Sequence, residues 1–492
     1  MSAPESLEGD NLDRSALKGV AWSSIAKWST QIFAWAGTVF VARILTPADI
    51  GLLTTASVFM GVIMILSEFG ISTAVITMRE LKPEDMGELN TFSVLLGVAG
   101  TLLAALMAVP LGAFFRAPEL PPVLAVVGLT FMLTSMQTVP AALLRRELRF
   151  KSIAVIDVTR GLVVPVVTLV GALLGMRYWA LAMGSVTGAA LSMVMTLSFR
   201  RIGFRRPRLA ALRPVLNFSR NVLVGRVAWI AYQDGDFAVA GRRLSMAAVG
   251  DYGMAWTLAT SPIEKVTMML GDVTPALFSA AQHDRPALRR YFLNLSELIS
   301  LAVVPAAAGI ALVSEDLVAV ILGAKWEGVA APLAVLALYA GARALTSLFG
   351  HLFNAVRETF FAMWTSIVLA VLLLTGFVIG SRWGPQGIAA AWLLIHPAFS
   401  VLTFTRVSRV LDLGALTYLR SLRLGVDGTM VMAAVVLVFQ YMTVDSSSTV
   451  LRLVGSIGFG AGAFTATTFL VHRSRLATIL AWMRRVRSGS AV

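Results

Sequence analysis

Cysteine is absent from this 492-residue sequence. Disulfides, thiolate nucleophiles and cysteine-ligated zinc are therefore excluded. Charge is nearly as scarce, at 14% of residues against roughly 25% in soluble domains. Histidine occurs only at His283, His351, His396 and His472, with no H-E-x-x-H or paired spacing, so neither a metal nor a haem site is expected. No lysine follows a glycine anywhere, which excludes the phosphate-binding loop G-x-x-x-x-G-K-[ST] and nucleotide hydrolysis by that device. Energy for any uphill work has to come from an ion gradient or from withdrawal of product. Residues 1–15 are polar, with no basic stretch leading into a short apolar core, so Leu17 onward is expected to stay as a span.

What remains is apolar: 57% of the residues are hydrophobic. Stretches of about 20 such residues, long enough to cross roughly 30 Å of hydrocarbon as helices, recur along the whole chain. Helices are predicted near 17–42, 50–77, 88–114, 121–144, 152–175, 178–199, 215–241, 247–277, 291–313, 329–354, 359–380, 385–406, 425–443 and 450–471. They are long, rich in Leu, Ala and Val and punctuated by Gly and Pro, unlike the ten-residue alternating strands of a membrane barrel. The class is an all-α integral membrane protein of about fourteen transmembrane helices. Prolines 165, 262, 275, 305 and 397 fall within spans and are expected to kink them, and His396-Pro397 to mark a helix break.

The net charge of +14 is unevenly placed. Loops on one side collect RRELRFK at 145–151, RRIGFRRPRLAALR at 200–213 and the tail from Arg473 to Arg487; the other side keeps Arg43, Arg116, Arg177, Arg242, Arg243, Lys325 and Arg382. The asymmetry predicts a cytoplasmic N- and C-terminus, and the basic loops read as topology determinants and contacts for membrane lipids, with no nucleic acid as partner. The longest loops, near 279–290, 313–328 and 407–424, are too short for a folded extramembrane domain with the acidic groups a membrane glycosyltransferase or polymerase needs.

One motif occurs twice. VARILTPADIGLLTTAS at 41–57 is echoed by AGRRLSMAAVGDYGMA from Ala240, with Leu45-Thr46 on Leu244-Ser245, a shift of about 199 residues. Thr46 reads as an N-cap, Pro47 as the first helical residue and Asp49 as a first-turn acid. Two six-helix halves of even span number share an orientation, which predicts two lobes related by a pseudo-two-fold along the membrane normal, plus two C-terminal helices. The divisions expected are a polar N-terminus at 1–15, an N-lobe at 16–200, a basic linker at 201–213, a C-lobe at 214–408, two further helices within 409–472 and a basic tail at 473–492.

ARILTPADIGL at 42–52, FGISTAVITMRELKPEDMGELNTF at 69–92, the pattern D-x-x-x-x-G-R-x-L…A-x-x-G-x-Y from Asp236 to Tyr252 and TPALFSA at 274–280 resemble the polysaccharide-transport flippases. These Wzx-type and exopolysaccharide exporters belong to the superfamily that also holds the multidrug/toxin extruders and the lipid II flippase. The resemblance covers about residues 15–410 and departs from the family at Arg242-Arg243 with Ser245-Met246. It implies a V-shaped pair of lobes that moves an undecaprenyl-pyrophosphate-linked oligosaccharide from the cytoplasmic to the periplasmic leaflet of the bacterial inner membrane. It also suggests contact with a polysaccharide polymerase or export machinery, and no catalysis.

Ionisable groups inside spans cost several kcal/mol and usually face a cavity or one another. Ser24, Lys27, Trp28, Gln31, Trp35 and Thr38 lie within about one 100° sector of the first helix, and Arg226, Trp229, Gln233 and Asp236 within about 80° of the seventh. The repeat shift carries Lys27 onto Arg226, so each half holds a cation at the same depth. Such a pair can compensate a pyrophosphate in low dielectric, while the tryptophans stack on sugar faces and the glutamines bond hydroxyls. Arg160, Lys265 and Arg343 are further cations for the substrate; Asp157, Asp234, Asp236, Glu264, Asp272 and Glu297 are candidates for coupling to H+ or Na+, with no other cofactor implied. Ion pairing is a competing role for each. For Asp236 the expected partners are Arg226 or Lys265. A drug or cation extruder of the same superfamily would need an acidic cavity instead.

Overall fold

The computed structural model describes residues 33–68, 70–78, 81–82, 84–208, 213, 232–271, 274–443, 448–478 and 481. Lys27, Trp28, Gln31, Arg226, Trp229 and Asp272 lie outside them. Among the described residues there is no strand. The first half contains α1 (33–44), α2 (Pro47–Glu68), α3 (Ile71–Thr77), α4 (Asp85–Phe115), α5 (Leu120–Arg146), α6 (Phe150–Leu173) and α7 (Tyr178–Phe199). The second contains α8 (232–243), α9 (Met246–Gly271), α10 (Thr274–Ala280), α11 (Arg285–Leu312), α12 (Ser314–Ile321), α13 (Ala330–Ala355), α14 (Thr359–Gly380), α15 (Gly384–Leu411), α16 (Ala415–Thr443) and α17 (Thr449–Val471). Setting aside the short α3, α10 and α12, each of the fourteen expected spans overlaps one helix within the described residues.

The chain packs as two compact units, Met1–Ala231 and Tyr232–Val492. Their internal pairings match. In the first, α4 packs on α5, α5 on α7, α6 on α7 and α2 on α5; in the second, α11 packs on α13, α13 on α15, α14 on α15 and α9 on α13. The repeated motif also caps the same helix in each. Thr46 Oγ1 donates to Asp49 Oδ2 (2.6 Å) and accepts from the Asp49 N–H (3.3 Å), a reciprocal capping box, and Arg177 Nε stands 3.3 Å from the buried Asp49. Ser245 Oγ accepts from the Ala248 N–H at 3.3 Å, so it caps α9 as Thr46 caps α2.

Three expectations are corrected. The second span is broken: Gly70, at φ 67°, turns the chain from α2 into α3. Hydropathy runs through such a break because the short piece is itself apolar. The α15 helix continues through His396 and Pro397, since one lost backbone bond is tolerated when the flanking turns pack on neighbours. Finally, α16 begins at Ala415, ten residues before the expected start, because Arg420 and Arg423 mask a helix that buries Tyr418 and Leu422.

The segment 200–208 is fastened to the first unit. Buried Glu88 accepts from the Arg208 N–H (2.9 Å) and Nε (2.6 Å), the Arg205 N–H donates to Gly87 O (3.2 Å) and Thr91 Oγ1 (3.1 Å), and Asn90 Nδ2 donates to Ile202 O (3.5 Å). The extra helices α16 and α17 are part of the second unit. Tyr418 stacks on Phe404 (4.9 Å) and packs on Phe292, while Gln440 Nε2 donates to Leu312 O (3.0 Å). Between α11, α12, α16 and α17 runs an apolar groove of about 380 Å³, lined among others by Pro305, Gly309, Leu317, Met432 and Phe464.

Candidate functional site

Asp236 is the most deeply buried carboxylate among the described residues of the second unit. Asp236, on α8, has no exposed surface; its Oδ2 accepts from Tyr252 Oη (2.6 Å) and Trp392 Nε1 (3.0 Å), and its Oδ1 from the Phe237 N–H (2.8 Å). Tyr252 lies on α9 and Trp392 on α15, so one side chain ties three helices. Three donors replace the hydration that a buried carboxylate loses, and the low-dielectric surroundings strengthen each bond. No described residue forms an ion pair with Asp236, so Lys265 does not fill the expected role, and Arg226 lies outside the described residues. The first and last residues of the D…Y pattern are thus bonded to each other, which explains their spacing.

Aromatic rings wall this carboxylate. The Trp392 ring meets Tyr339 at 4.7 Å, Phe377 at 5.0 Å, Trp256 at 5.5 Å and Tyr232 at 5.6 Å between centroids. One turn beyond Trp392, the His396 ring stands edge-on to Tyr339, and its Nδ1 is buried with no hydrogen-bond partner among the described residues. One turn beyond Tyr339 on α13, Arg343 stands 3.5 Å from Glu264 on α9, and both side chains are partly exposed, at 29% and 38%. A polar path therefore leads from sealed Asp236 past the Tyr339 and His396 rings to a loosely paired, accessible Arg343 and Glu264. Gln233 Oε1, on the same helix as Asp236, is also buried without a partner among the described residues. Asp234 is half-buried on the other side of α8, as residues two apart must be, and Lys265 is half-buried on α9.

In the first unit, Arg160 and Asp157 are exposed on α6. Arg160 is ten residues from the start of its helix, about 15 Å along it, and forms no ion pair with a described residue. A methyl group on Gly188 of α7 would run into the Val164 side chain of α6, so the two helices approach closely beside Arg160. Trp35 is 37% exposed on α1. The repeat partner of Asp236 is Gly37, which packs on Pro165, so the buried carboxylate belongs to the second half alone. Glu297 is buried, with Arg475 Nε 2.9 Å from its Oε1; its charge is taken up in fastening the segment after α17.

Sequence reasoning missed Trp256, Tyr339, Trp392 and His396. A lone aromatic in a span carries no directional signal, and these four come from three helices. Tyr252 alone had one, as the end of a quoted motif.

Lipopolysaccharide biosynthesis protein WzxC of Escherichia coli (strain K12) is 26% identical over 424 residues, 84% of this chain and 85% of that protein. Succinoglycan biosynthesis transport protein ExoT of Rhizobium meliloti (strain 1021) is 22% identical, with 97% of each chain covered. Among solved structures, lipid II flippase MurJ in an inward closed conformation shares the fold, with a TM-score of 0.76 at 13% identity over 93% of this chain and all of that one. An inward-facing multidrug resistance MATE family transporter gives 0.60 at 15% identity over 78% and 96%. Residues 40–331, more than half the chain and reaching into both units, match the family described as polysaccharide biosynthesis protein, and this membrane protein belongs to that family.

Proposed function

We propose that the protein is a flippase that carries an undecaprenyl-pyrophosphate-linked oligosaccharide from the cytoplasmic to the periplasmic leaflet of a bacterial inner membrane, by alternating access and with both termini in the cytoplasm. The observation that carries this reading is the family match across both halves of the repeat, together with relatives of nearly the same length named for lipopolysaccharide biosynthesis and succinoglycan transport. A charged pyrophosphate needs compensating cations on its path, and Lys27, Arg226, Arg160 and Arg343 supply them, with Lys265 in reserve. Trp28, Trp35 and Trp229 offer sugar-stacking faces, and Gln31 and Gln233 hydrogen bonds. The groove beside α16 and α17 gives the hydrocarbon chain an apolar surface.

Asp236 is the coupling group in this reading, ahead of Asp157, Asp234 and Glu297. A proton or Na+ arriving there has to displace donors from α9 and α15, which ties ion binding to helix packing. Substrate supply and use link the protein to a polysaccharide polymerase or export machinery. No bond of the glycan is made or broken, so the chain acts as a transporter and not an enzyme.

The test is proteoliposomes loaded with preformed lipid-linked oligosaccharide, scoring arrival in the opposite leaflet and glycan length. Lys27→Ala with Arg226→Ala is expected to abolish flipping while the protein still inserts. Full flipping by that double variant would remove the cation clamp, and a change in glycan length would replace transport with synthesis.

A further inference from the structure

The first unit carries a basic surface to which the proposed transport cycle assigns no role. Residues 145–151 and 200–206 are some fifty positions apart in sequence, yet the structure joins them: Arg149 Nη1 donates to Phe199 O at 3.1 Å, and Arg200 Nη2 stands 3.0 Å from Glu147 Oε1. The two runs lie where α5 ends, α6 begins, α7 ends and α4 begins, and four successive spans bring those ends to the same side of the membrane. Two local acids are already engaged, Glu147 with Arg200 and Glu88 with Arg208, while Glu84 and Asp85 at the start of α4 lie near Arg208. Arg145, Lys151, Arg201 and Arg206 are exposed and form no ion pair with a described residue.

Apolar side chains stand among these cations. Leu148 is 69% exposed, Phe150 63% and Phe204 62%. Phe204 sits on the segment held to α4 on either side of it, through Ile202 O and the Arg205 N–H, so it is presented and not merely left over. Leu148 is more telling. It closes α5 at φ 56°, with its N–H on Arg145 O (3.1 Å) and the Arg149 N–H on Leu144 O (2.9 Å), the helix-ending turn in which glycine is the usual residue. Glycine adopts that conformation freely and leucine does not. The chain holds a strained leucine whose side chain packs on little of the protein.

We infer that this surface binds anionic phospholipid headgroups, with Arg145, Lys151, Arg201 and Arg206 on the phosphates and Leu148, Phe150 and Phe204 seated at the acyl boundary. Cations interleaved with apolar groups at the ends of spans match the layered chemistry of a charged leaflet: phosphate outside, hydrocarbon just beneath. An acidic protein segment would satisfy the arginines and leave the three apolar side chains uncovered.

The full-length protein in non-ionic detergent is titrated at low salt with phosphatidylglycerol, phosphatidylcholine or inorganic phosphate, and stabilisation is read from thermal melting. Phosphatidylglycerol is expected to raise the melting temperature, with an effect that salt weakens, and the other two are not. Combining Arg145→Gln, Lys151→Gln, Arg201→Gln and Arg206→Gln is expected to weaken the phosphatidylglycerol effect by roughly fivefold per side chain, at least a hundredfold together. Leu148→Gly relieves the strained turn, so it is expected to melt no lower than the parent without lipid and yet lose several-fold in phosphatidylglycerol response. Equal stabilisation by phosphatidylcholine, or by inorganic phosphate, overturns the inference. So does an undiminished phosphatidylglycerol response in both variants.

Discussion

Asp236 shows which part of one residue's surroundings a sequence carries and which part it does not. Its place on a polar stripe of the seventh span was legible, because a carboxylate in an apolar run stands out in any sequence. Its partners were not, because Tyr252 and Trp392 approach from helices whose rotation no local pattern encodes. Asp236→Asn sets an amide nitrogen or a weaker acceptor against two buried donors, and is expected to cost about 1–3 kcal/mol in thermal unfolding. The same variant separates stability from coupling: its flipping in proteoliposomes should no longer respond to an imposed pH or Na+ gradient. A gradient response like that of the parent would move the coupling group elsewhere. Glu264→Gln and Arg343→Gln, at a partly exposed pair, are expected to change stability by less than about 1 kcal/mol, so a loss of transport there reports on substrate.

Among the elements, α17 is held at both ends. Arg452, at its start, makes a bidentate pair with buried Asp316 of α12, and Arg475, just past its end, pairs with buried Glu297 of α11. Close backbone approach supplements the charges: a methyl group on Gly425 of α16 would run into the Ser300 carbonyl of α11, and Ser300 Oγ donates to Leu422 O at 2.9 Å. Arg452→Ala leaves Asp316 buried and unpaired and is expected to destabilise the protein by about 3 kcal/mol. The double variant with Asp316→Leu should recover much of that loss, which melting curves for the four members of the cycle would establish. Gly425→Ala is expected to lower the melting temperature although alanine is the better helix former. Composition showed that these two helices exist and lie outside the repeat; their fastening depends on side chains more than a hundred residues apart in sequence. The early start of α16 was hidden for a related reason, since a hydropathy window counts Arg420 and Arg423 as the end of a span while the helix continues past them.

For the molecule as a whole, the lack of cysteine makes orientation measurable. Single cysteines placed at Ser2 and Ser490 are expected to react with a membrane-impermeant maleimide only after cells are opened, whereas one at exposed Arg382, between α14 and α15, should react in intact cells. Labelling of either terminus from outside would reverse the orientation and with it the direction of transport. The sequence by itself determined the membrane class, the number of helices, the internal duplication and the sidedness of charge, because each is a sum of local terms: apolar length, repeat register and the count of basic residues per loop. Only the tertiary structure decided that the D…Y motif closes on itself, that Glu297 fastens the segment just after α17, and that two distant basic runs form one surface around Leu148. Those facts depend on which faces of packed helices meet, and a one-dimensional pattern does not contain that geometry.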